Sequence, residues 1–281
     1  MVFRFLRHSC SGWRLVGIGT PAQGRAVPII YNLDRSSAID VVFVPDQQNY
    51  AGGPNNSVFQ NDVANAIGLY YSEDIFLNNQ NQLNFWIALD SGNAIADAAG
   101  SACGSTAPGN WDDSYGFADV GAILHRDPLI QRNCAQSGQH IFTALGGGTS
   151  RSLLHETGHQ PFGLTDEYCN KRPGSPSTVT VCDPAFYQAD PYPNVFQSLE
   201  GCQADPLSAG RTCQGWTSDI CGTWPHDFTA DEFDEDFDSC TWFTSDPPSN
   251  DLMVENLNPQ AFDRRRIDTY MFNEVCVSGG C

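Results

Sequence analysis

The chain has 281 residues, enough for a substantial hydrophobic core in one large domain or two modest ones. Apolar residues make up 41% and aromatics 11%, which excludes a wholly disordered chain. Thirty-three acidic residues against fourteen Lys and Arg give a net charge of −19, which disfavours nucleic acid and anionic lipid as partners, and no apolar run is long enough to suggest a membrane span.

Taken in chain order, the start "MVFRFLRHSCSGWRLVGIG" is basic and partly apolar, but charges interrupt its apolar run and it does not read as a signal peptide. Residues 1–27 are expected to be an N-terminal extension, and 28–281 a single domain. "AIDVVFVPD" (38–46) is a β-branched run closed by Pro45, as expected of a buried strand. In "NSVFQNDVANAIGLYYSEDIF", Phe59, Val63, Ile67 and Tyr70 recur every three or four residues behind a cap at Asn56, predicting an amphipathic helix. "QLNFWIALD" (82–90) and "QHIFTAL" (139–145) have strand length and composition, while "FADVGAILH" between them fits strand or helix equally.

"GGG" (146–148) leads into a helix at "TSRSLLHETGHQ" with Thr149 or Ser150 as cap. From Cys169 to about residue 250 regular patterning fades into a proline-, glycine- and cysteine-rich stretch. Helical order returns at "NPQAFDRRRIDTYMF", with Asn258 expected as cap, Pro259 at the first helical position, and Ala261, Ile267, Tyr270 and Met271 as the buried stripe. These elements describe an α+β fold.

Eleven cysteines, eight of them between Cys169 and Cys281, favour an oxidising compartment, hence a secreted, periplasmic or extracellular chain. Short closures join Cys103 with Cys134, Cys169 with Cys182, Cys202 with Cys213, Cys221 with Cys240 and Cys276 with Cys281, leaving Cys10 over; sequence does not choose among connectivities.

Chemistry concentrates in "LLHETGHQPFGLTDEYC" (153–169). His155 and His159, four residues apart, project from one helix face and can share a metal, while Glu156 points roughly 100° away from His155. Zn²⁺ suits two imidazoles plus a third protein ligand, and Glu156 is then placed to take a proton from the attacking water. A bare pentamer of this kind also occurs on ordinary polar helices. Its surroundings favour chemistry: Gly158 costs about 1 kcal/mol inside a helix, Pro161 forces an exit, and Gly163 permits a tight reversal. The chain then returns with Asp166, the expected third ligand, or Glu167 as its alternative; Tyr168 is a possible auxiliary.

"HETGHQPFGLTDEY" resembles the HExGHxxxGLxDEY signature of the IgA-peptidase-like family of metallopeptidases, which is metzincin-like in design. "SNDLMVEN" (249–256) resembles the methionine-containing turn of that design, with Met253 as its methionine. "IDVVFVPD" and "LNFWIAL" resemble sheet strands of the family, so the similarity spans roughly residues 38–272. The resemblance implies a twisted mixed sheet, an active-site helix, a Met-turn and a C-terminal helix, with zinc on His155, His159 and Asp166 and Glu156 as base. Asp166 follows His159 by seven residues, against six in the longer metzincin pattern.

Two other stretches carry weaker signals. His226 in "TWPHDF" is a possible auxiliary ligand or oxyanion donor, though a lone loop histidine is more often a surface or packing residue. Asp234, Asp236 and Asp238 alternate as Ca²⁺ ligands can, but lack the glycine and final glutamate of an EF-hand loop. "DRRR" (263–266) reads as a basic cluster that neutralises nearby carboxylates. The expectation is a secreted zinc-dependent endopeptidase acting on protein or peptide, with a non-catalytic metal-stabilised binding protein and a metal-dependent amidase as alternatives. Oligomeric state is not encoded in any motif.

Overall fold

The computed structural model describes residues 25–32, 38–98, 100–131, 133–136, 140–147, 151–164, 192–196, 198–217, 241–245, 252–255 and 258–271. Eight strands are described: β1 (Ala26–Ile30), β2 (Ile39–Pro45), β3 (Leu83–Ala88), β4 (Val120–His125), β5 (Ala135–Gln136), β6 (Ile141–Leu145), β7 (Gln214–Thr217) and β8 (Thr241–Thr244). Seven α-helices accompany them: α1 (Ser57–Tyr70), α2 (Asp74–Asn78), α3 (Trp111–Tyr115), α4 (Ser152–His159), α5 (Leu199–Ala204), α6 (Leu252–Glu255) and α7 (Ala261–Tyr270). The architecture is mixed α+β.

The main sheet has the order β1-β3-β2-β4-β6-β5. Its centre, β3-β2-β4-β6, is parallel; β1 and β5 pair antiparallel at the two edges. Parallel strands are covered on both faces and so read as unbroken apolar runs. In β2 every residue is buried. Ile39, Val41 and Phe43 face one core and Val42 and Val44 the other. The carboxylate of Asp40 on that strand is tolerated because Asn84 and the Trp86 indole donate to it at 3.0 and 2.7 Å. Pairing with β2 and β6 on its two sides decides the ambiguous "FADVGAILH" as strand β4.

Asn56 caps α1 as expected, accepting from the Val58 and Phe59 amides. The helix predicted through Phe76 nevertheless breaks after Tyr70. Glu73 turns extended at the start of α2 and its carboxylate pairs with Arg151. Asn258 and Pro259 do not start α7. Gln260 is its cap, exchanging a reciprocal capping box with Asp263, while the Asn258 side chain meets Arg151 at 3.3 Å. Ile267 and Met271 are buried as expected, joined by Phe262; Ala261 and Tyr270 are half-buried.

Within the stretch read as irregular, α5 and the β7-β8 pair are ordered around Cys202, Cys213 and Phe243. Two of the expected disulfides are present among the described residues, Cys103–Cys134 and Cys202–Cys213; the other suggested pairs and Cys10 lie outside them. No helix of the described residues is long and apolar enough to cross a membrane.

Candidate metal centre

Helix α4 carries the two histidines and is held from three directions. Leu153 and Leu154 are sunk in the core shared with α1 and β6. Thr157 donates to the Leu153 carbonyl at 2.7 Å and accepts from the buried Tyr70 hydroxyl at 2.6 Å. Burial holds the Tyr70 phenol well above its ordinary pKa, so it remains a proton donor. At the other end, Arg151 occupies the cap position without a side-chain cap bond and instead pairs with Glu73. That corrects the expected cap at Thr149 or Ser150, both of which lie outside the described residues.

His155 and His159 stand side by side, ring centroids 4.8 Å apart and nearly perpendicular. The Nδ1 of His155 donates to the Leu252 carbonyl at 2.9 Å, and the Nδ1 of His159 donates to the Leu164 carbonyl at 2.8 Å. A carbonyl can only accept, so Nδ1 carries the proton in each neutral ring and Nε2 holds the lone pair. This tautomer, fixed from behind by a main-chain oxygen, is the one that metal-ligating histidines commonly adopt. Glu156, between the two, is buried.

Met253 follows Leu252 on α6 and is fully buried. A Cβ on Gly158 would lie 2.7 Å from its sulfur, so the absent side chain at Gly158 is what lets α6 pack against α4. Helix α4 ends at His159, as Pro161 requires, with Gln160 extended and the Gln160–Pro161 peptide cis. Gly163 adopts φ +68°, and its amide and that of Leu164 donate back to the His159 and Gly158 carbonyls. Phe162, bulky for a turn, is buried against Phe76 and Tyr270.

The described chain therefore brings together His155, Glu156, His159 and Met253. Asp166, Glu167, Tyr168, His226 and the alternating aspartates Asp234, Asp236 and Asp238 all lie outside the described residues. Among the described residues no three His, Cys, Asp or Glu side chains converge as a metal set. A cleft of about 550 Å³, lined by Arg25, Gln47, Asp90, Ser91 and Asn110 among others, includes none of these site residues.

Comparison with models of known protein families and with curated protein sequences finds no match for this chain.

What sequence reading missed is the set of partners behind the site. Leu252 and Leu164 act through their carbonyls, which every residue possesses. The three arginines of "DRRR" have separate partners: Arg264 pairs with Asp74 and Arg265 with Asp205, both carboxylates, but Arg266 donates through Nε to the Phe162 carbonyl at 2.7 Å.

Proposed function

We propose that this chain is a secreted zinc-dependent endopeptidase with a metzincin-like domain, related to the IgA-peptidase-like metallopeptidases. The observation that carries the reading is the pair of fixed tautomers: both histidines of the pentamer are oriented by main-chain carbonyls so that their Nε2 lone pairs lie on one helix face. His155 and His159 would hold the metal, with Asp166 as the third ligand and Glu167 as its alternative. Supporting it is the seating of Met253 against Gly158, the relation expected of a Met-turn.

Bound zinc would supply Lewis acidity, easing ionisation of water near neutral pH and stabilising an oxyanion. Glu156 accepts the proton of the attacking water and returns it to the leaving amine, the general acid–base role its place beside His155 permits. Its burial at 5% exposure limits competing solvent around that proton. Leu252 and Leu164 keep the two imidazoles from rotating, so neither ring needs reordering during turnover. The disulfides agree with an oxidising compartment, which supports export.

The test is an unbiased peptide library incubated with wild type and Glu156→Ala, with and without chelator. The expected outcome is chelator-sensitive cleavage that falls by about 10²–10⁴ in the variant while its zinc content is unchanged. Cleavage that survives the chelator, or equal activity in Glu156→Ala, overturns the mechanism. One equivalent of zinc without cleavage of any peptide points to the non-catalytic binding protein instead.

A further inference from the structure

The turn from Gln160 to Leu164 has two ends with different anchors. Its far end holds a histidine: the Leu164 carbonyl accepts a hydrogen bond from the His159 Nδ1. Its middle is held by α7, a helix a hundred residues further along the chain. Arg266 donates to the Phe162 carbonyl at 2.7 Å, and Tyr270, one helical turn later, packs edge-on against the Phe162 ring at 5.4 Å. Helix α7 thus grips the same residue by backbone and by side chain. Gly163 lies beside this grip: its φ of +68° is what favours glycine, and a Cβ there would meet the Arg266 guanidinium only at an ordinary contact distance of 3.4 Å.

We propose that Arg266 is a positioning residue for His159: by fixing the Phe162 carbonyl it sets the path of the turn, and so the place of the Leu164 carbonyl that orients the imidazole. The proposal rests on the zinc reading above for its functional meaning. Arg264 and Arg265 provide internal controls. They sit on the same helix with the same side chain, but their bonds go to other segments: Arg264 binds Asp74 and the Pro259 carbonyl, and Arg265 binds Asp205 and the Pro193 carbonyl. A general effect of removing a cation from α7 would appear in all three; an effect transmitted through the turn appears only at Arg266.

The experiment compares wild type with Arg266→Met, Arg264→Met and Arg265→Met by two readouts: zinc affinity from titration against a competing chelator, and amide hydrogen exchange at Gly163 and Leu164 in the zinc-free chain. Arg266→Met is expected to weaken zinc binding by about 10-fold, the low end of what loss of a partner bonded directly to a ligand costs, because Arg266 acts one step further out, and to speed exchange at both amides. The two control substitutions leave both readouts at the wild-type level. Zinc affinity within about twofold of wild type in Arg266→Met overturns the proposal, as does equal loosening by all three substitutions. Should Arg266→Met fail to fold, Arg266→Leu, which keeps part of the aliphatic stem but has no donor for the Phe162 carbonyl, is read by the same criteria. A wild-type chain that binds no zinc overturns the metal reading instead, and exchange at Gly163 and Leu164 still decides whether Arg266 holds the turn.

Discussion

The two faces of the six-stranded sheet bury similar strand residues by different means. On one, Val41, Phe43, Phe85, Ala122 and Phe142 are covered by helices α1 and α4, with α6 and α7 behind them. On the other, Val42, Val44, Trp86, Ile123 and Ile141 are covered largely by the segment between β3 and β4, mostly loop, which carries Ala94, Ala102 and the short helix α3 with Trp111 and Tyr115. The helical face supplies regular i, i+4 geometry, and the histidine pair sits there. The loop-covered face has few repeating hydrogen bonds to order it, and the disulfide Cys103–Cys134 ties its loop to the residue preceding edge strand β5. A cross-link adds most where secondary structure adds least.

Breaking that disulfide tests the comparison most severely. It spans 31 residues, and loop closure of that length stabilises by about 3–4 kcal/mol. Cys103→Ser with Cys134→Ser should lose about that much in urea unfolding while zinc affinity stays at wild type. A large loss of zinc affinity in the folded variant would show that the two faces are not independent.

A smaller effect separates two glycines. A Cβ on Gly121, in β4, would fall 2.3 Å from the Trp111 ring and 3.0 Å from Ile141. Neither a stacked indole nor a β-branched strand residue can yield readily, so Gly121→Ala should cost about 2–3 kcal/mol. A Cβ on Gly158 meets the flexible Met253 thioether, and alanine gains about 1 kcal/mol of helix propensity over glycine. Gly158→Ala should therefore change thermal stability less than Gly121→Ala. The reverse order would show that the Met253 thioether yields less readily than the Trp111 indole.

The finest test is pH. His125, at the end of β4, contacts Asn133 through Nε2 at 2.7 Å and accepts the Asp127 amide at Nδ1, while Asn133 donates to Ser152 at the start of α4. Burial lowers its pKa below the ordinary 6.5. Its proton therefore binds more weakly in the folded chain than in the unfolded one. Stability from this group is complete above about pH 6.5 and is lost as pH falls from there through the folded-state value. In the zinc-free chain, His125→Gln should flatten that part of the stability profile; an unchanged slope would assign the acid sensitivity elsewhere.

Local chemistry was legible in the sequence wherever it acts over a few residues. The apolar runs of strand length became β2, β3 and β6, Asn56 capped α1, Pro161 ended α4 and Gly163 took its positive φ, because sterics and capping are settled within one or two turns of chain. Cys103 with Cys134 and Cys202 with Cys213 were legible as short closures for the same reason. Where a local signal competed with a distant partner, the partner won. Asn258 has the composition of a cap but its side chain meets Arg151, and a helix expected to run to Phe76 gives way where Glu73 meets Arg151.

The site divides along the same line. The spacing of His155, Glu156 and His159 placed three side chains on one helix by arithmetic alone. Which carbonyls fix the imidazoles, that Gly158 is small because Met253 lies against it, and that Arg266 reaches the Phe162 carbonyl were decided only by tertiary structure. Main-chain carbonyls are present at every position and leave no mark in a sequence, so their use as anchors emerges only when the fold brings them within hydrogen-bond reach.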